Sequence, residues 1–355
     1  MTLDLKGVMQ QAAEHHSPDL HLQVGQPPII RLRNGSLSAL EKAPVLTKAD
    51  IDEIIADITT ESQREVFARE SQLDFSYHLE GVSRFRVNIY QEYHGPSIAF
   101  RLIPDQIPTL DELGMDEIVK SLAMMHSGLI LVTGPTGMGK STVIASIIDY
   151  INKNRSAHII TIEDPIEFVY KSQNCLFSQR ELNVHAHTFA GAIRAALRQD
   201  PDIVMVGEMR DLETISAAIT LAETGHLVLS TLHTIDAAQT VDRIIDVFPA
   251  HQQQQIRAQL SGTLKAVISQ TLVPRADGNG RVAAREIMVV NDAIQNCILK
   301  AETNQIYSIM QISGEEGMRL MDDSLEMLVR GGTITADEAI SHASDSQSLY
   351  HKLSR

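Results

Sequence analysis

The first hundred residues alternate between apolar and polar positions, a pattern typical of half-buried β-strands. Such runs occur at Leu73–Leu79, Ser83–Gln91 and Ser97–Ile103, and shorter ones at Asp19–Val24 and Ile29–Leu32 flank the Pro27–Pro28 turn. Helical spacing predicts helices over Thr2–His15 and Lys48–Thr59, the second with Thr47 as its N-cap. The pattern therefore predicts a small α/β domain built on one sheet with one or two helices.

From residue 129 the predicted strands become continuously apolar and alternate with helices. The strands are Leu129–Thr133, His158–Ile162, Ile203–Val206 and Leu227–Leu232, and the helices are Lys140–Asn152, 188–199 and 211–223. The last helix has Asp211 as its N-cap and Gly225 just past its end. This order indicates an α/β fold with a parallel sheet covered on both faces. After about residue 236 we expect mostly helix, with one strand-like piece at Glu286–Val290.

Two prolines in the stretch Pro104–Pro108 separate these two patterns and indicate a linker. We therefore expect an N-terminal domain over residues 1–103, a linker over 104–110 and a larger domain over 111–355, which includes a helical C-terminal portion. A chain of 355 residues is long enough for both domains to bury their own cores.

Composition then narrows the classes of function. The net charge of −15 disfavours a nucleic-acid coat, because neutralising phosphates requires clustered Lys and Arg, so we expect no nucleic-acid partner. The two cysteines, Cys175 and Cys297, are too few for a four-ligand zinc site or a disulfide framework, and their sparse use suits the cytosol. The sequence has no signal-peptide pattern and no apolar run near ~20 residues, so we expect only peripheral membrane association.

The segment GPTGMGKST matches the phosphate-loop pattern GxxxxGK(S/T) and lies between an apolar strand and an amphipathic helix. Its glycines let successive backbone N–H groups point at phosphate oxygens, and the helix adds its N-terminus. Lys140 is expected to reach the β- and γ-phosphates of ATP, and the Ser141 hydroxyl to ligate Mg²⁺. The residues expected to bind nucleotide are Gly134, Pro135, Thr136, Gly137, Met138, Gly139, Lys140, Ser141 and Thr142.

Two acidic residues follow apolar strands, where ligands of open parallel sheets bind. We expect Glu163 to act as the general base or to orient water, although the adjacent Asp164 has similar chemistry. Glu208 is the candidate Walker-B-type residue, acting on Mg²⁺ through water. His226 and His233 lie at the two ends of one apolar strand, and we expect a nucleotide-linked role for at least one of them.

Four segments, in this order, resemble the motifs of the secretion ATPase superfamily. GPTGMGKST is similar to its Walker A motif, TIEDPIEF to its aspartate box, DPDIVMVGEMRDLETI to its Walker B motif and AETGHLVLSTLHT to its histidine box. Further similarity through SPDLHLQVGQPP, SRFRVN, DRIIDVFP and AVISQTLVPR extends it over about residues 17 to 330. Within the superfamily (the GspE/PilT family), the short N-terminal part and GMRLMDDSLEMLV resemble the PilT-like retraction motors of type IV pili.

The resemblance implies a homohexamer in the cytoplasm, at the inner face of the inner membrane. It implies a PAS-like N-terminal domain and a RecA-like core, with ATP between protomers. Arginines of the first domain would be inserted toward the triphosphate, and Arg86 and Arg101 match those positions, with Arg84 as an alternative. The implied partners are a platform protein of the inner membrane and other pilus ATPases.

Two positions depart from the family pattern. Met138 stands where relatives commonly have Ser, and we expect activity to survive because that side chain need not point at phosphate. Gln295 stands in the place of the arginine in AIR, the three residues with which the retraction motif normally begins. We therefore still expect ATP hydrolysis, but this departure weakens the expectation of pilus retraction. Alternatives are an ATPase of pilus assembly, conjugation or type II secretion, a nucleotide-gated regulatory module with negligible turnover, and a DNA translocase.

Overall fold

The computed structural model describes residues 3–15, 17–32, 36–40, 43–103 and 106–354. It divides into two compact units, residues 1–106 with 165–169 and residues 107–164 with 170–355. The division falls inside the stretch 104–110 for which the sequence predicts a linker, of which Pro104 and Asp105 lie outside the described residues. Leu110, at the end of that stretch, is buried.

The first unit is built on an antiparallel sheet. Its elements are α1 (Leu5–Glu14), β1 (Asp19–Leu22), β2 (Ile29–Arg31), β3 (Leu37–Ala39), α2 (Lys48–Ile58), α3 (Glu61–Glu70), β4 (Gln72–Leu79), β5 (Ser83–Glu92) and β6 (Gly95–Ile103). Among the described residues, six strands pair in the order β3-β2-β1-β6-β5-β4. Strands β4 to β6 therefore form a meander, and β1 pairs with the far side of β6.

The alternation of apolar and polar residues along each strand decides which face of this sheet is buried. Along β5, Phe85 and Val87 are buried, whereas Arg84, Arg86 and Asn88 on the other face are partly exposed. Because successive side chains of a strand point to opposite faces, one register gives one apolar and one polar face. The apolar face and α2 form one buried cluster, in which each fully buried aliphatic or aromatic side chain contributes about 1.5–3 kcal/mol.

The second unit is built on a larger sheet. Its elements up to the last strand are α4 (Glu117–Ala123), β7 (Gly128–Thr133), α5 (Lys140–Asn154), β8 (His158–Glu163), β9 (Leu176–Glu181), α6 (Phe189–Ala196), β10 (Ile203–Val206), α7 (Leu212–Glu223), β11 (Leu227–Leu232), α8 (Ala237–Asp246), α9 (Ala250–Thr263), β12 (Leu264–Pro274) and β13 (Arg281–Val289). The helices α10 (Asp292–Lys300), α11 (Ile306–Ile312), α12 (Met321–Arg330), α13 (Ala336–His342) and α14 (Ser346–Leu353) follow, with 3₁₀ turns at Thr303–Gln305 and Gly314–Glu316.

Seven strands of the described chain pair in the order β13-β12-β7-β11-β10-β8-β9. Strands β7, β10 and β11 are buried at every position, so both faces are covered. The pairs from β12 to β9 are parallel, and β13 pairs antiparallel with β12. The predicted α/β fold is confirmed, and the sheet is parallel except at this edge.

The prediction of one strand after residue 236 is wrong, because β12 spans Leu264–Pro274 as well. Its sequence LKAVISQTLVP mixes apolar with polar residues, and α9 passes into it without an intervening loop residue. Two of its polar side chains, Ser269 and Gln270, are buried, and they find partners in Thr133 of β7 and Arg285 of β13. The local pattern of apolar and polar residues does not reveal which strands supply these partners. The elements β3, α3, α4 and β9 were also not predicted from the sequence pattern.

Within the described residues, no helix combines the length and the apolar character needed to cross a lipid bilayer. Cys175 and Cys297 are free, buried thiols, and burial raises the pKa of each above its ordinary value.

Candidate active site

The phosphate loop joins the end of β7 to the start of α5. Gly134 and Gly139 adopt φ values of +140° and +78°, in the region where a side chain is strained. A Cβ atom on Gly134 would also overlap the main-chain oxygen of Gln270 in β12. The glycines are therefore required both by the backbone path and by the approach of a neighbouring strand.

The ammonium group of Lys140 is folded onto the loop. Its Nζ donates to the main-chain oxygens of Gly134 at 2.7 Å and Pro135 at 2.9 Å, and the residue is only 8% exposed. A buried charge must be hydrogen-bonded, and these carbonyls provide partners. The positive charge is thus held at the point where α5 presents its unpaired N–H groups.

Met138 is attached to β12 twice. Its carbonyl oxygen accepts a hydrogen bond from Gln270 Nε2, and its Sδ accepts one from the main-chain N–H of Leu272 at 3.2 Å. The side chain of Met138 therefore lies against β12.

A row of polar side chains continues along the same edge of the sheet. His233 follows β11, and its Nε2 lies 3.3 Å from Glu208 Oε2, while its Nδ1 lies 3.5 Å from Thr136 Oγ1 in the phosphate loop. Glu208 follows β10, and its Oε1 is 2.7 Å from Arg210 Nε. The fold therefore brings Glu208 and His233 together beside the loop, with Arg210 as a partner that sequence reasoning missed.

Glu163 ends β8 and is only 4% exposed. Its Oε1 accepts hydrogen bonds from Thr161 Oγ1 at 2.6 Å and from Gln179 Nε2 at 3.2 Å. β8 is three strands from β7, about 14 Å at the usual strand spacing. Glu163 is therefore a buried, hydrogen-bonded carboxyl at the correct edge of the sheet, but further along it than Glu208.

The structure separates His226 from the loop. His226 precedes β11 at the opposite edge of the sheet, roughly 20 Å from His233 along the strand. Its Nδ1 lies 3.0 Å from the carbonyl of Leu221 and 3.1 Å from Thr224 Oγ1. Within one chain, His226 therefore lies away from the phosphate loop and from His233, because the strand between them crosses the whole sheet, and a nucleotide-linked role for His226 stays a prediction.

The arginines of the first unit share the polar face of its sheet. Arg86 in β5 is directly opposite Arg101 in β6. Arg101 Nε donates to Asp19 Oδ1 at 2.8 Å, and Arg86 Nε is 3.9 Å from Asp74 Oδ1. The two arginines are therefore neighbours, of which Arg101 is exposed and Arg86 partly exposed.

The third candidate arginine, Arg84, lies on the same face of β5 as Arg86. Its Nη2 donates to Ser76 Oγ at 2.8 Å. Arg84 is more enclosed than Arg101, whose side chain is largely exposed.

The donor set near the loop suits a hard cation. Ser141 is the second residue of α5 and supplies a hydroxyl, and the Glu208 carboxylate supplies oxygen at the same edge of the sheet. Mg²⁺ takes one or two protein oxygens and fills its shell with water and phosphate. No group of three or more His, Cys, Asp or Glu side chains arranged to hold a metal by themselves occurs in the described part of the chain.

Gln270 was missed by sequence reasoning, although it touches the loop. The signal was present as polar residues inside the apolar run AVISQTLVP, which suggests buried polar partners. The partners of Gln270, which are Met138 in the loop and Arg285 in β13, were hidden because only strand pairing brings them next to it.

A glycine-lined loop with its lysine, set between strand and helix in a mostly parallel sheet, defines this chain as a P-loop ATPase with a RecA-like core. The model of the family described as "Type II/IV secretion system protein" matches residues 3–341. The chain belongs to this family.

Three similar proteins sharpen the family assignment. The type IV pilus retraction ATPase PilT of Pseudomonas aeruginosa is 46% identical over 337 residues, covering 95% of this chain and 97% of that protein. A twitching motility protein of Neisseria gonorrhoeae is 46% identical over 322 residues, covering 91% and 86%. The crystal structure of the pilus retraction motor PilT with bound ADP superposes with a TM-score of 0.92 at 43% identity, covering 98% and 99%.

Proposed function

We propose that this chain forms a hexameric MgATP-hydrolysing motor that powers retraction of a type IV pilus, and hence twitching motility. The observation that carries the proposal is similarity over nearly the whole length to a pilus retraction ATPase, including every segment of the phosphate-loop site. The motor would work at the cytoplasmic face of the inner membrane. Its proposed partners are an inner-membrane platform protein and other pilus ATPases.

Within this proposal, the loop from Gly134 to Thr142 binds the phosphates through backbone N–H groups, and Lys140 neutralises the β- and γ-phosphates. Ser141, and Glu208 through water, would hold Mg²⁺, which supplies charge neutralisation between the phosphates. Glu208 also orients the imidazole of His233, which is placed next to Thr136 to respond to a γ-phosphate. Glu163 is the proposed general base or water-orienting group.

The arginines of the first unit complete the proposed charge balance. Arg86 and Arg101 are adjacent, the first partly exposed and the second exposed, so their guanidinium groups are available to an anion from outside the sheet. In the proposed cycle they neutralise charge that develops during phosphoryl transfer. Loss of the γ-phosphate would remove these contacts and let the two domains rotate about the linker at residues 104–110.

Filament imaging after deletion of the gene tests the direction of force. We expect cells with excess, immobile filaments, because assembly would continue without retraction. Complementation with the unaltered gene should restore twitching, whereas a gene carrying Lys140→Ala should not. Cells without filaments would contradict retraction and assign the motor to assembly.

One observation favours a second candidate, an ATPase of pilus assembly, conjugation or type II secretion. Gln295 in α10 stands in the place of the arginine of the retraction motif. The expected result for Gln295→Arg is faster twitching if the chain is a retraction motor with a weakened motif. An unchanged twitching rate, together with filament loss on gene deletion, would support the second candidate.

Phosphate release separates a motor from a nucleotide-gated regulatory module. The purified chain should release phosphate from MgATP in a steady state that Lys140→Ala abolishes. A protein that binds MgATP but releases no phosphate, even as an oligomer, would be a regulatory module.

A further inference from the structure

Gln270 lies directly behind the phosphate loop. The pairing of β12 with β7 sets Ser269 opposite Thr133, so Gln270 is level with Gly134, the first residue of the loop. A Cβ atom on Gly139, the last glycine of the loop, would lie 3.1 Å from Gln270 Nε2. Both ends of the loop therefore approach this one residue, which is only 3% exposed.

The orientation of the Gln270 amide follows from its partners. Arg285 Nε donates to Gln270 Oε1 at 2.7 Å, and a guanidinium has donors only. The oxygen of the amide must therefore face Arg285, which leaves the NH₂ group to donate to the carbonyl oxygen of Met138. The side chain thus connects a cation in β13 to the backbone of the loop.

Arg285 is itself held from several directions. It is opposite Gln270 in the β12–β13 pair and is 8% exposed. Its Nη1 donates to the carbonyl of Gly114 at 3.4 Å, and its main-chain N–H donates to Ser324 Oγ at 2.9 Å. Burial lowers the pKa of Arg285 to about 10, so the guanidinium remains charged at neutral pH. Gln270 is therefore hydrogen-bonded to a guanidinium group that is charged at neutral pH and is itself held in place by other hydrogen bonds.

We propose that Gln270 is a positioning residue for nucleotide binding, which fixes the direction of the Met138–Gly139 peptide and is itself fixed by Arg285. In a trans peptide the C=O and N–H groups point in opposite directions. With the Met138 carbonyl bonded to Gln270, the N–H of Gly139 points away from β12. Amide groups ordered in this way form the anion-binding concavity of a phosphate loop. The inference rests on the proposed binding of nucleotide at this loop.

The variant Gln270→Glu tests this point, because it keeps the shape of the side chain and the acceptor for Arg285. It replaces the donor that faces Met138 with an oxygen, so two acceptors oppose each other. We expect the Kd of full-length protein for a fluorescent ADP analogue with Mg²⁺ to rise about tenfold or more, because the Met138–Gly139 peptide turns away from the repelling carboxylate and the Gly139 N–H no longer points toward the phosphates. The unsatisfied acceptor also lowers the melting temperature, by an amount that we expect to be similar to that in the Ser269→Ala control.

Ser269→Ala is the matched control. It removes a buried hydrogen bond of 2.8 Å to Thr133 Oγ1 from the same strand, without touching Met138. Its Kd should stay within about twofold of the unaltered value. If the Kd rises in both Ser269→Ala and Gln270→Glu in proportion to the fall in melting temperature, Gln270 has only a structural role and the proposal is overturned.

A double-mutant cycle between Gln270 and Arg285 tests the connection to β13. Gln270→Ala and Arg285→Ala should each raise the Kd, and the double variant should be no weaker than the weaker single variant. If Arg285→Ala does not fold, Gln270→Asn replaces the cycle, because its shorter amide reaches one partner at most and should bind as weakly as Gln270→Ala. Additive losses in the cycle, or normal binding by Gln270→Asn, would overturn the proposal.

Lys140→Ala separates this inference from the site assignment. Unchanged binding by Gln270→Glu, with binding lost in Lys140→Ala, would overturn the inference and leave the nucleotide site in place. Unchanged binding in Lys140→Ala would overturn the site assignment itself.

Discussion

The two sheets of this chain place their polar side chains in different ways. The antiparallel sheet of the first unit keeps one polar face, along which Arg84, Arg86 and Arg101 are neighbours. The mostly parallel sheet of the second unit is covered on both faces, so its chemical groups collect where strands end. An antiparallel face offers a broad charged surface, whereas a parallel edge concentrates loop amides, Lys140, Glu208 and His233 at one place.

The largest effect is expected from Lys140→Ala, which removes the ammonium group that is fixed at the phosphate loop. Phosphate release should fall about 10³-fold, the loss typical of a removed electrostatic contact to a transition state. The control is Lys153→Ala, farther along α5, whose ion pair with Asp149 is on the surface. Comparable losses of phosphate release in Lys140→Ala and Lys153→Ala would mean that the ammonium of Lys140 has no special role at the phosphate loop.

Glu208→Gln and Glu163→Gln then test whether both acids at that edge take part. We expect Glu208→Gln to lower phosphate release about 10²-fold, because it loses the charge that orients His233 and attracts a cation. A similar loss is expected for Glu163→Gln if it activates water. Full activity of Glu163→Gln would leave it as a buried structural acid bound to Thr161 and Gln179.

Neighbouring substitutions sharpen the contrast between the two sheets. In β7, Leu131→Ala and Val132→Ala should each cost about 2 kcal/mol or more, since both side chains are fully buried. In β5, Val87→Ala should cost a similar amount, but Asn88→Ala less than about 0.5 kcal/mol. Native-state hydrogen exchange reports opening of each sheet separately. Equal costs for Val87 and Asn88 would contradict the one-sided burial of β5.

A buried carboxyl in the second sheet gives a pH effect on stability. Burial raises the pKa of Glu286 in β13 to about 7; hydrogen bonds from the main-chain N–H groups of Ala237 and Met321 oppose the rise, and the charges of Asp236 and Asp322 add to it. The folded state therefore holds its proton more tightly than the unfolded state, whose pKa is near 4.5. This contribution, roughly 3 kcal/mol, is present below pH 4.5 and is lost as the pH rises to about 7.

Denaturant unfolding between pH 5 and 8 measures that contribution as the difference between the unaltered protein and Glu286→Gln. The glutamine keeps an acceptor for the N–H of Ala237 but does not titrate. The difference should change steadily up to about pH 7 and then level off. A constant difference across this range would mean that Glu286 titrates alike in both states.

The smallest effect on stability is expected on the polar face of the first sheet. Arg86→Ala should change the free energy of unfolding by less than about 0.5 kcal/mol, because Arg86 opposes Arg101 and its ion pair with Asp74 is loose. If Arg86 meets ATP, phosphate release should nevertheless fall. Arg69→Ala, on the surface of α3, is the control. Unchanged turnover for both variants would remove Arg86 from the proposed charge balance.

The sequence by itself determined the features that depend on neighbouring residues. The glycines and lysine of the phosphate loop, the Thr47 and Asp211 caps, and the predominantly apolar strands β10 and β11 are local signals. Backbone sterics and hydrogen bonds over a few residues fix them, so they could be predicted without the fold.

Only the tertiary structure decided which distant residues meet. β12 and Gln270 acquire their meaning from β7 and β13, and His226 and His233, which look equivalent in the sequence, lie at opposite edges of one sheet. A buried polar side chain is stable only when a partner satisfies it, and that partner is supplied by strand order, which local pattern does not encode.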